Sequence, residues 1–208
     1  MRTKIKEKIY NLIAHSGIWF LGKFFPEYFA SEPLRPTDRY IEYPWAIGNL
    51  PSPPAKVLDV GCSGSIFPLL LKALGYETYG IDIRQYYPQG KFFFTKSDVS
   101  VNLYQDDFFD VITAISVVEH IGLKGRYSAH EDMEGDVKAL QEIYRILKPE
   151  GLFLMTVPIK LELKITRNHK IYNQARIDLF LHRFNHYEYK FVASPEADYN
   201  LALIKAVK

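Results

Sequence analysis

Short apolar runs alternate with amphipathic stretches along the chain from residue 56 onward. The apolar runs, which predict strands, lie at residues 57–60, 78–81, 91–95, 109–116, 152–157, 187–192 and 201–207. Between them, residues 67–74, 137–147 and 177–181 carry apolar side chains at helical spacing. Strands that alternate with helices predict an α/β fold built from βαβ units, with a mostly parallel sheet.

The N-terminal quarter of the chain has a different pattern. Ile5, Ile9, Leu12 and Ile13 share one face of a helix predicted over residues 4–25. Prolines are dense between residues 26 and 54, which favours an extended or turning connector. We therefore divide the chain into an N-terminal helix with a proline-rich connector (1–54), which caps the functional site, and an α/β domain (55–208). Pairing with a partner and lying on a membrane surface are the alternatives for the helix.

Composition fits this organisation and narrows the function only slightly. The 208 residues suffice for one α/β domain with a short extension, and a net charge of +2 does not by itself imply nucleic acid or membrane. The longest apolar run near the N-terminus, residues 18–21, is too short to span a bilayer, and no export signal is evident. A single cysteine, Cys62, excludes an internal disulfide, and we expect a cytoplasmic protein.

The first predicted strand leads into a loop of small residues, Gly61 to Ser65, and then into a helix. Such a loop lets a ligand approach the backbone closely at a helix N-terminus. Asp82 ends the second strand, 21 positions after Gly61, a spacing at which a carboxylate accepts hydrogen bonds from a ribose diol. Asp98, past the third strand, can accept from an adenine amino group. The structural alternatives are a strand-end cap for Asp82 and a turn-forming role for Asp98.

Four segments resemble motifs of the class I S-adenosylmethionine-dependent methyltransferase superfamily. They are Leu58-Asp59-Val60-Gly61-Cys62, Gly80-Ile81-Asp82, Phe109-Asp110-Val111-Ile112 through Val118-Glu119-His120-Ile121, and Tyr144-Arg145-Ile146-Leu147-Lys148-Pro149-Glu150-Gly151. The resemblance covers residues 55 to 160, and the flanking segments 42–45 and 122–136 are similar to a poorly characterised branch of small bacterial and archaeal members. It implies a Rossmann-like, seven-stranded, mostly parallel sheet with helices on both faces and an antiparallel last strand.

The resemblance also implies S-adenosylmethionine as co-substrate and a role for each matching residue. Asp59, Gly61 and the backbone at Cys62 would hold the methionine part, Asp82 the ribose, and Asp98 with Val99 the adenine. Ile115 and Ser116 would line the cofactor through backbone groups. The remaining expected cofactor contacts are Ser63, Gly64 and Ile83. The chain departs from the superfamily's glycine-rich loop at Ser63 and Ser65, which stand where glycines are usual.

Methyl transfer from a sulfonium is an in-line displacement, for which the protein must align the acceptor and exclude water. Where the acceptor loses a proton, a general base helps. The candidates are His120, His169 and Tyr172, although His120 also suits a structural helix start. Residues 122–127 contain the glycines of a mobile lid, or of an exposed loop without function.

Three other functional interpretations of the sequence are weighed against a small-molecule methyltransferase. A nicotinamide-dependent oxidoreductase is disfavoured, because residues 61–66 lack its Gly-x-Gly-x-x-Gly spacing. A non-catalytic binding module is kept open by Ser63 and Ser65. No Asn-Pro-Pro-Tyr-like segment follows the fourth strand, which argues against the amino-methylating nucleic-acid enzymes, so we expect no DNA partner.

The expected acceptor is an O or N atom of a small molecule, such as a sugar or glycan precursor. RNA is the second choice, resting on the basic N-terminal helix alone. No cysteine and histidine residues have zinc-site spacing, and the acidic residues between 131 and 136 are interpreted as a solvated loop, so we expect no metal. We expect a monomer or a homodimer.

Overall fold

The computed structural model of the protein describes residues 37–85, 92–125 and 131–208. It also describes nine separate positions nearer the N-terminus: Ile9, Leu12, Ile13, Ser16, Gly17, Trp19, Phe20, Lys23 and Phe24. The chain divides into two compact units, Met1–Thr37 and Asp38–Lys208. Predictions that fall on residues 86–91, on residues 126–130 or on the other positions before residue 37, Ile5 among them, lie outside the described residues.

In the first unit, all nine described positions are helical, as the apolar periodicity predicts. Phe20 and Phe24 have ring centroids 4.7 Å apart, and the Lys23 ammonium lies 4.8 Å from the Trp19 ring. These side chains are exposed. Among the residues that the structure describes, no helix has the length and apolar character needed to cross a membrane.

The second unit is built on a seven-stranded sheet. A separate two-stranded hairpin is formed by β6 (Lys164–Ile165) and β7 (Lys170–Ile171). The strands of the sheet are β1 (Lys56–Val60), β2 (Glu77–Asp82), β3 (Phe93–Lys96), β4 (Phe109–Ile115), β5 (Leu147–Ile159), β8 (His186–Ala193) and β9 (Asn200–Val207). The order in the sheet is β3-β2-β1-β4-β5-β9-β8. The first five strands are mutually parallel, and β9 is antiparallel to both of its neighbours. The predicted fold class is confirmed.

Helices cover both faces of the sheet, because side chains of successive strand residues point to opposite sides. The helices are α1 (Arg39–Asn49), α2 (Phe67–Ala73), α3 (Gly135–Ile146) and α4 (Gln174–Leu181). One core contains Val57, Val111 and Leu154 with residues of α1 and α2. The other contains Leu58, Ile112 and residues of α3 and α4.

Helix α1 corrects the prediction of an extended or turning connector up to residue 54. Pro44 lies inside this helix, where it forfeits one backbone hydrogen bond. The helix forms because two of its residues, Ala46 and Glu42, are buried against the rest of the domain. Helix α1 accordingly belongs to the second compact unit. A capping role for the N-terminal segment stays a prediction.

Two further local predictions need correction. Strand β5 begins at Leu147, before the expected break at residues 149–151, and a register shift opposite β4 accommodates the extra residues. Within the segment predicted as a solvated loop, Asp136 is fully buried. Its burial is explained by the cations of Lys170 and Arg176, which lie 3.0 and 3.2 Å from its Oδ1.

Candidate active site

A cavity of about 760 Å³ opens at the carboxyl ends of β1, β2 and β4. The order of strands in the sheet reverses between β1 and β4, and ligands of open α/β sheets bind at such a point. Predicted cofactor residues that line the cavity are Asp59, Gly61, Ser63, Gly64, Asp82, Ile83, Asp98, Val99, Ile115 and Ser116. The residues proposed from the sequence for one ligand therefore converge on one space.

The loop after β1 requires glycine at residue 61. Gly61 has a φ of +72°, and its N–H donates to the Ile81 carbonyl at 2.8 Å. A Cβ at this position would lie 2.5 Å from Val117 Cγ2. The loop thus packs directly on the segment that follows β4, which brings these two walls of the cavity together.

The departures at Ser63 and Ser65 are compatible with this loop. Neither residue is among the described non-glycine residues with positive φ, so neither position needs a glycine backbone. Ser63 Oγ donates to the Arg84 carbonyl at 3.2 Å. Ser65 Oγ accepts from the Phe67 N–H at 3.0 Å, at the start of α2.

Asp82 holds the loop from the neighbouring strand. Its Oδ2 accepts from the Ser63 N–H at 2.8 Å, and its Oδ1 accepts from the Arg84 N–H at 2.7 Å. Each carboxylate oxygen has two lone pairs. Oδ2 keeps one of them free, whereas the second lone pair of Oδ1 has only a long contact from Arg84 Nε at 3.4 Å, which a ribose hydroxyl could replace. The strand-end cap and the ribose contact are therefore compatible roles for Asp82.

Asp59 is buried at the end of β1, where Thr113 Oγ1 donates to its Oδ1 at 2.8 Å. Burial raises the pKa of the Asp59 carboxyl to about 7, and the nearby Asp82 adds to this effect. A cation bound beside Asp59 would favour its charged form.

Asp98 caps the short helical turn Val99–Val101. Its Oδ1 accepts from the Ser100 N–H at 2.9 Å and from the Ser100 hydroxyl at 2.8 Å. The turn-forming alternative is thus realised in the structure. Since Asp98 also lines the cavity, its contact with adenine stays a prediction.

Cys62, a further predicted cofactor residue, is not among the residues that line the cavity. Its side chain is fully buried behind the loop, where a Cβ on Gly80 would lie 2.8 Å from its sulfur. Burial raises the pKa of the Cys62 thiol far above its usual value. The thiol is therefore inert.

Two residues of α1 that the sequence pattern did not indicate lie at the cavity: Arg39 lines it, and Glu42 is fully buried behind Arg39. Arg39 Nη1 donates to the Ile115 carbonyl at 3.2 Å and to Glu42 Oε2 at 2.6 Å. Glu42 also accepts hydrogen bonds from the hydroxyls of Ser116 and Thr156. Ser116 has a φ of +49°, uncommon for a non-glycine residue, which marks the end of β4 as locally strained. The Arg-x-x-Glu spacing would have indicated this ion pair had residues 39–49 been interpreted as a helix.

Two of the three general-base candidates reach the cavity. His120 and His169 line it with ring centroids 6.5 Å apart, and His120 Nδ1 lies 2.6 Å from the Asn168 carbonyl oxygen. Tyr172, in contrast, is fully buried in the core, and its hydroxyl donates to Asp136 Oδ2 at 3.0 Å. The prediction that Tyr172 is a general base was wrong, because this side chain is enclosed between β7, α3 and α4.

The described glycines of the predicted lid have a packing role. Gly122 has a φ of +78°, and a Cβ there would collide with the Asp132 carbonyl. A Cβ on Gly125 would collide with the Arg167 carbonyl. Close backbone packing therefore explains both glycines. In the part of the chain that the structure describes, no cluster of acidic, histidine or cysteine side chains could hold a metal ion.

Comparison with solved structures shows the same fold in proteins of low sequence identity. The 1,6-didemethyltoxoflavin-N1-methyltransferase of Burkholderia thailandensis is 17% identical with a TM-score of 0.62, over 97% of this chain and 89% of that one. A SAM-dependent methyltransferase from Archaeoglobus fulgidus is 19% identical with a TM-score of 0.64, over 88% and 99%. The cyclase SpnF is 16% identical with a TM-score of 0.63, over 81% and 80%.

The family is shown by a separate comparison. None of the curated proteins compared with the chain matches it. A family model for a methyltransferase domain, however, matches residues 30–194, which include α1 and all of the predicted cofactor residues. This match confirms the resemblance to the class I superfamily and supports S-adenosylmethionine as the co-substrate. The chain belongs to this methyltransferase-domain family.

Proposed function

We propose that the protein is an S-adenosylmethionine-dependent methyltransferase that transfers the methyl group to an O or N atom of a small molecule. The observation that carries this proposal is the convergence of Asp59, Asp82 and Asp98 on one cavity. Three carboxylates at successive strand ends match the three parts of the cofactor. Asp59 faces the methionine end, Asp82 accepts from the ribose hydroxyls, and Asp98 meets the adenine.

In this proposal the protein's own residues bind and orient the cofactor and the acceptor, and they take up the acceptor's proton where it has one to lose. When bound, the cofactor supplies a methyl group already activated by a positive sulfur. The loop of Gly61 and Gly64 lets the backbone approach it, and Ile115 with Ser116 line it from β4. His120 and His169 stand on the acceptor side, where they orient the acceptor or move its proton.

The acceptor proposed first is a small molecule, such as a sugar or glycan precursor, in a cytoplasmic protein. To test it, the protein would be incubated with methyl-tritiated adenosylmethionine and a cell extract separated into small-molecule and RNA fractions. We expect label in the small-molecule fraction. Label confined to RNA would overturn the acceptor class. Cofactor binding without any methyl transfer would favour a different use of the same fold, since SpnF, which shares it, is a [4+2]-cyclase.

We expect the affinity for adenosylmethionine to fall as the pH is lowered from about 8 to about 6, because Asp59 then takes up a proton. The pKa of Asp59 is raised to about 7 without ligand, and the cofactor's positive charges favour the ionised carboxylate. Binding below this pKa must displace the proton, so the dissociation constant rises by up to about tenfold per pH unit. Isothermal titration calorimetry measures this slope. Asp59→Asn is the matched control, and an unchanged slope in that variant would refute the role of Asp59.

A further inference from the structure

Glu119 is a buried carboxyl in the wall of the cavity that the predicted site did not include. It lies in the single turn Val118–His120 that follows β4, and its side chain is 5% exposed. Among the residues that the structure describes, its Oε2 is the one buried side-chain polar atom without a hydrogen-bond partner. Buried polar atoms in folded proteins are nearly always paired, so this exception needs an explanation.

The other buried carboxyls of the cavity wall have their partners within the protein. Asp38 accepts from the hydroxyls of Ser194 and Tyr199, Asp59 accepts from Thr113, and Asp82 accepts from two backbone N–H groups. Glu119 differs from them because one of its two oxygens, Oε2, is buried at the cavity without a donor. A ligand that brings an N–H or O–H group would complete it.

Several ionisable groups surround Glu119. The groups that interact electrostatically with its carboxyl are Asp38, Arg39 and Glu42 at the start of α1, the adjacent His120, Tyr172 after β7, and Tyr199 before β9. Arg39 is the favourable cation, but its closest contact is to Glu42. Burial, reinforced by Glu42, raises the pKa of Glu119 to about 8. Glu119 can therefore exchange a proton near neutral pH.

Hydrogen bonds to neighbouring residues hold the turn that carries Glu119. The Tyr172 hydroxyl lies 3.2 Å from the Val118 carbonyl oxygen, and the His120 N–H donates to the Val117 carbonyl at 2.9 Å. The turn directly follows Ser116, at the end of the strand expected to line the cofactor. Glu119 is thus held on a rigid element at the acceptor side of the cavity.

We propose that Glu119 is the carboxyl that binds the methyl acceptor, and that the acceptor therefore presents an N–H or O–H group at its nucleophilic atom. This inference rests on the proposed function. In the reaction, the acceptor's lone pair forms the new bond to the methyl carbon, and the carbon–sulfur bond breaks with its electron pair going to sulfur. The acceptor's proton passes to the ionised Glu119 and then to solvent, which leaves adenosylhomocysteine and the methylated product.

Sinefungin tests this inference without a known acceptor. It carries an ammonium-bearing carbon in place of the methylated sulfur of adenosylmethionine, so its N–H groups point toward the acceptor position. Calorimetry above the pKa of Glu119 would compare sinefungin with adenosylhomocysteine, which lacks that group. We expect the wild-type protein to prefer sinefungin by about tenfold or more, as for a charge-assisted hydrogen bond. Glu119→Gln should abolish this preference and leave the affinity for adenosylhomocysteine unchanged.

Glu196→Gln is the matched control, because Glu196 lines the same cavity but is exposed to solvent. It removes the same charge and should keep the preference. Glu119→Met, of similar length and without polar atoms, repeats the test should the glutamine variant melt at a lower temperature. A preference that survives both Glu119 variants would overturn the role of Glu119. Absence of adenosylhomocysteine binding to the wild-type protein would instead refute the proposed function.

Discussion

Replacing Asp136 with alanine is expected to lower the free energy of unfolding by about 3–5 kcal/mol. Asp136 is fully buried near the start of α3, and its Oδ1 lies 3.0 Å from the Lys170 ammonium, which is also buried. Its Oδ2 accepts from the Tyr172 hydroxyl at 3.0 Å. Removing the carboxylate leaves a buried cation without its counter-charge and a buried hydroxyl without this acceptor. The hairpin β6–β7 would lose its anchor to α3.

Chemical denaturation of the variant and the wild-type protein measures this loss. Glu134→Ala is the matched control, because the Glu134 side chain also pairs with Arg176, at 3.3 Å, but is 61% exposed. An exposed pair contributes at most about 1 kcal/mol, so this variant should remain close to the wild type. Equal stability of the Asp136 and Glu134 variants would contradict the account of the buried network. Lys170→Met combined with Asp136→Ala should recover part of the loss, since no unpaired buried charge then remains.

The second large effect is expected at the cofactor. Asp82→Ala should weaken the binding of adenosylhomocysteine by about a hundredfold or more, since two charge-assisted hydrogen bonds to the ribose are lost. The loop also loses its anchor, because Ser63 and Arg84 no longer donate to Asp82. Calorimetric titration of both proteins gives the two dissociation constants.

Loss of the ribose contact can be separated from loss of the loop anchor. Adenosine and 2′,3′-dideoxyadenosine differ only in the two hydroxyls that Asp82 would bind. The wild-type protein should prefer adenosine, and the Asp82→Ala variant should bind the two nucleosides equally. An undiminished preference in the variant would show that another group binds the ribose.

Much of the fold was predictable from the sequence because its strands are buried on both faces. Such strands appear as apolar runs, as in β4, and their alternation with helices specifies a parallel sheet. The positions of Asp59 and Asp82 were predictable for the same reason, because Asp59 lies within the apolar run of β1 and Asp82 directly follows the apolar run of β2. In a parallel sheet, the carboxyl ends of neighbouring strands meet at one edge.

The remaining features depend on packing between distant segments. Helix α1 contains Pro44, and burial of its own residues Glu42 and Ala46 stabilises it. The local sequence pattern does not reveal that burial. Tyr172 was predicted as a general base, but Asp136 and Val118, distant in sequence, enclose its hydroxyl. Glu119 looked like part of a motif, and only the three-dimensional structure reveals its unpaired oxygen.

The central claim is that the cavity at the carboxyl ends of β1, β2 and β4 binds S-adenosylmethionine. A calorimetric titration of the wild-type protein with adenosylhomocysteine, repeated with NAD, tests it most directly. We expect one site per chain with a dissociation constant of about 10 μM or tighter for adenosylhomocysteine, and no comparable binding of NAD. No binding of adenosylhomocysteine at about 1 mM, or tighter binding of NAD, would contradict it.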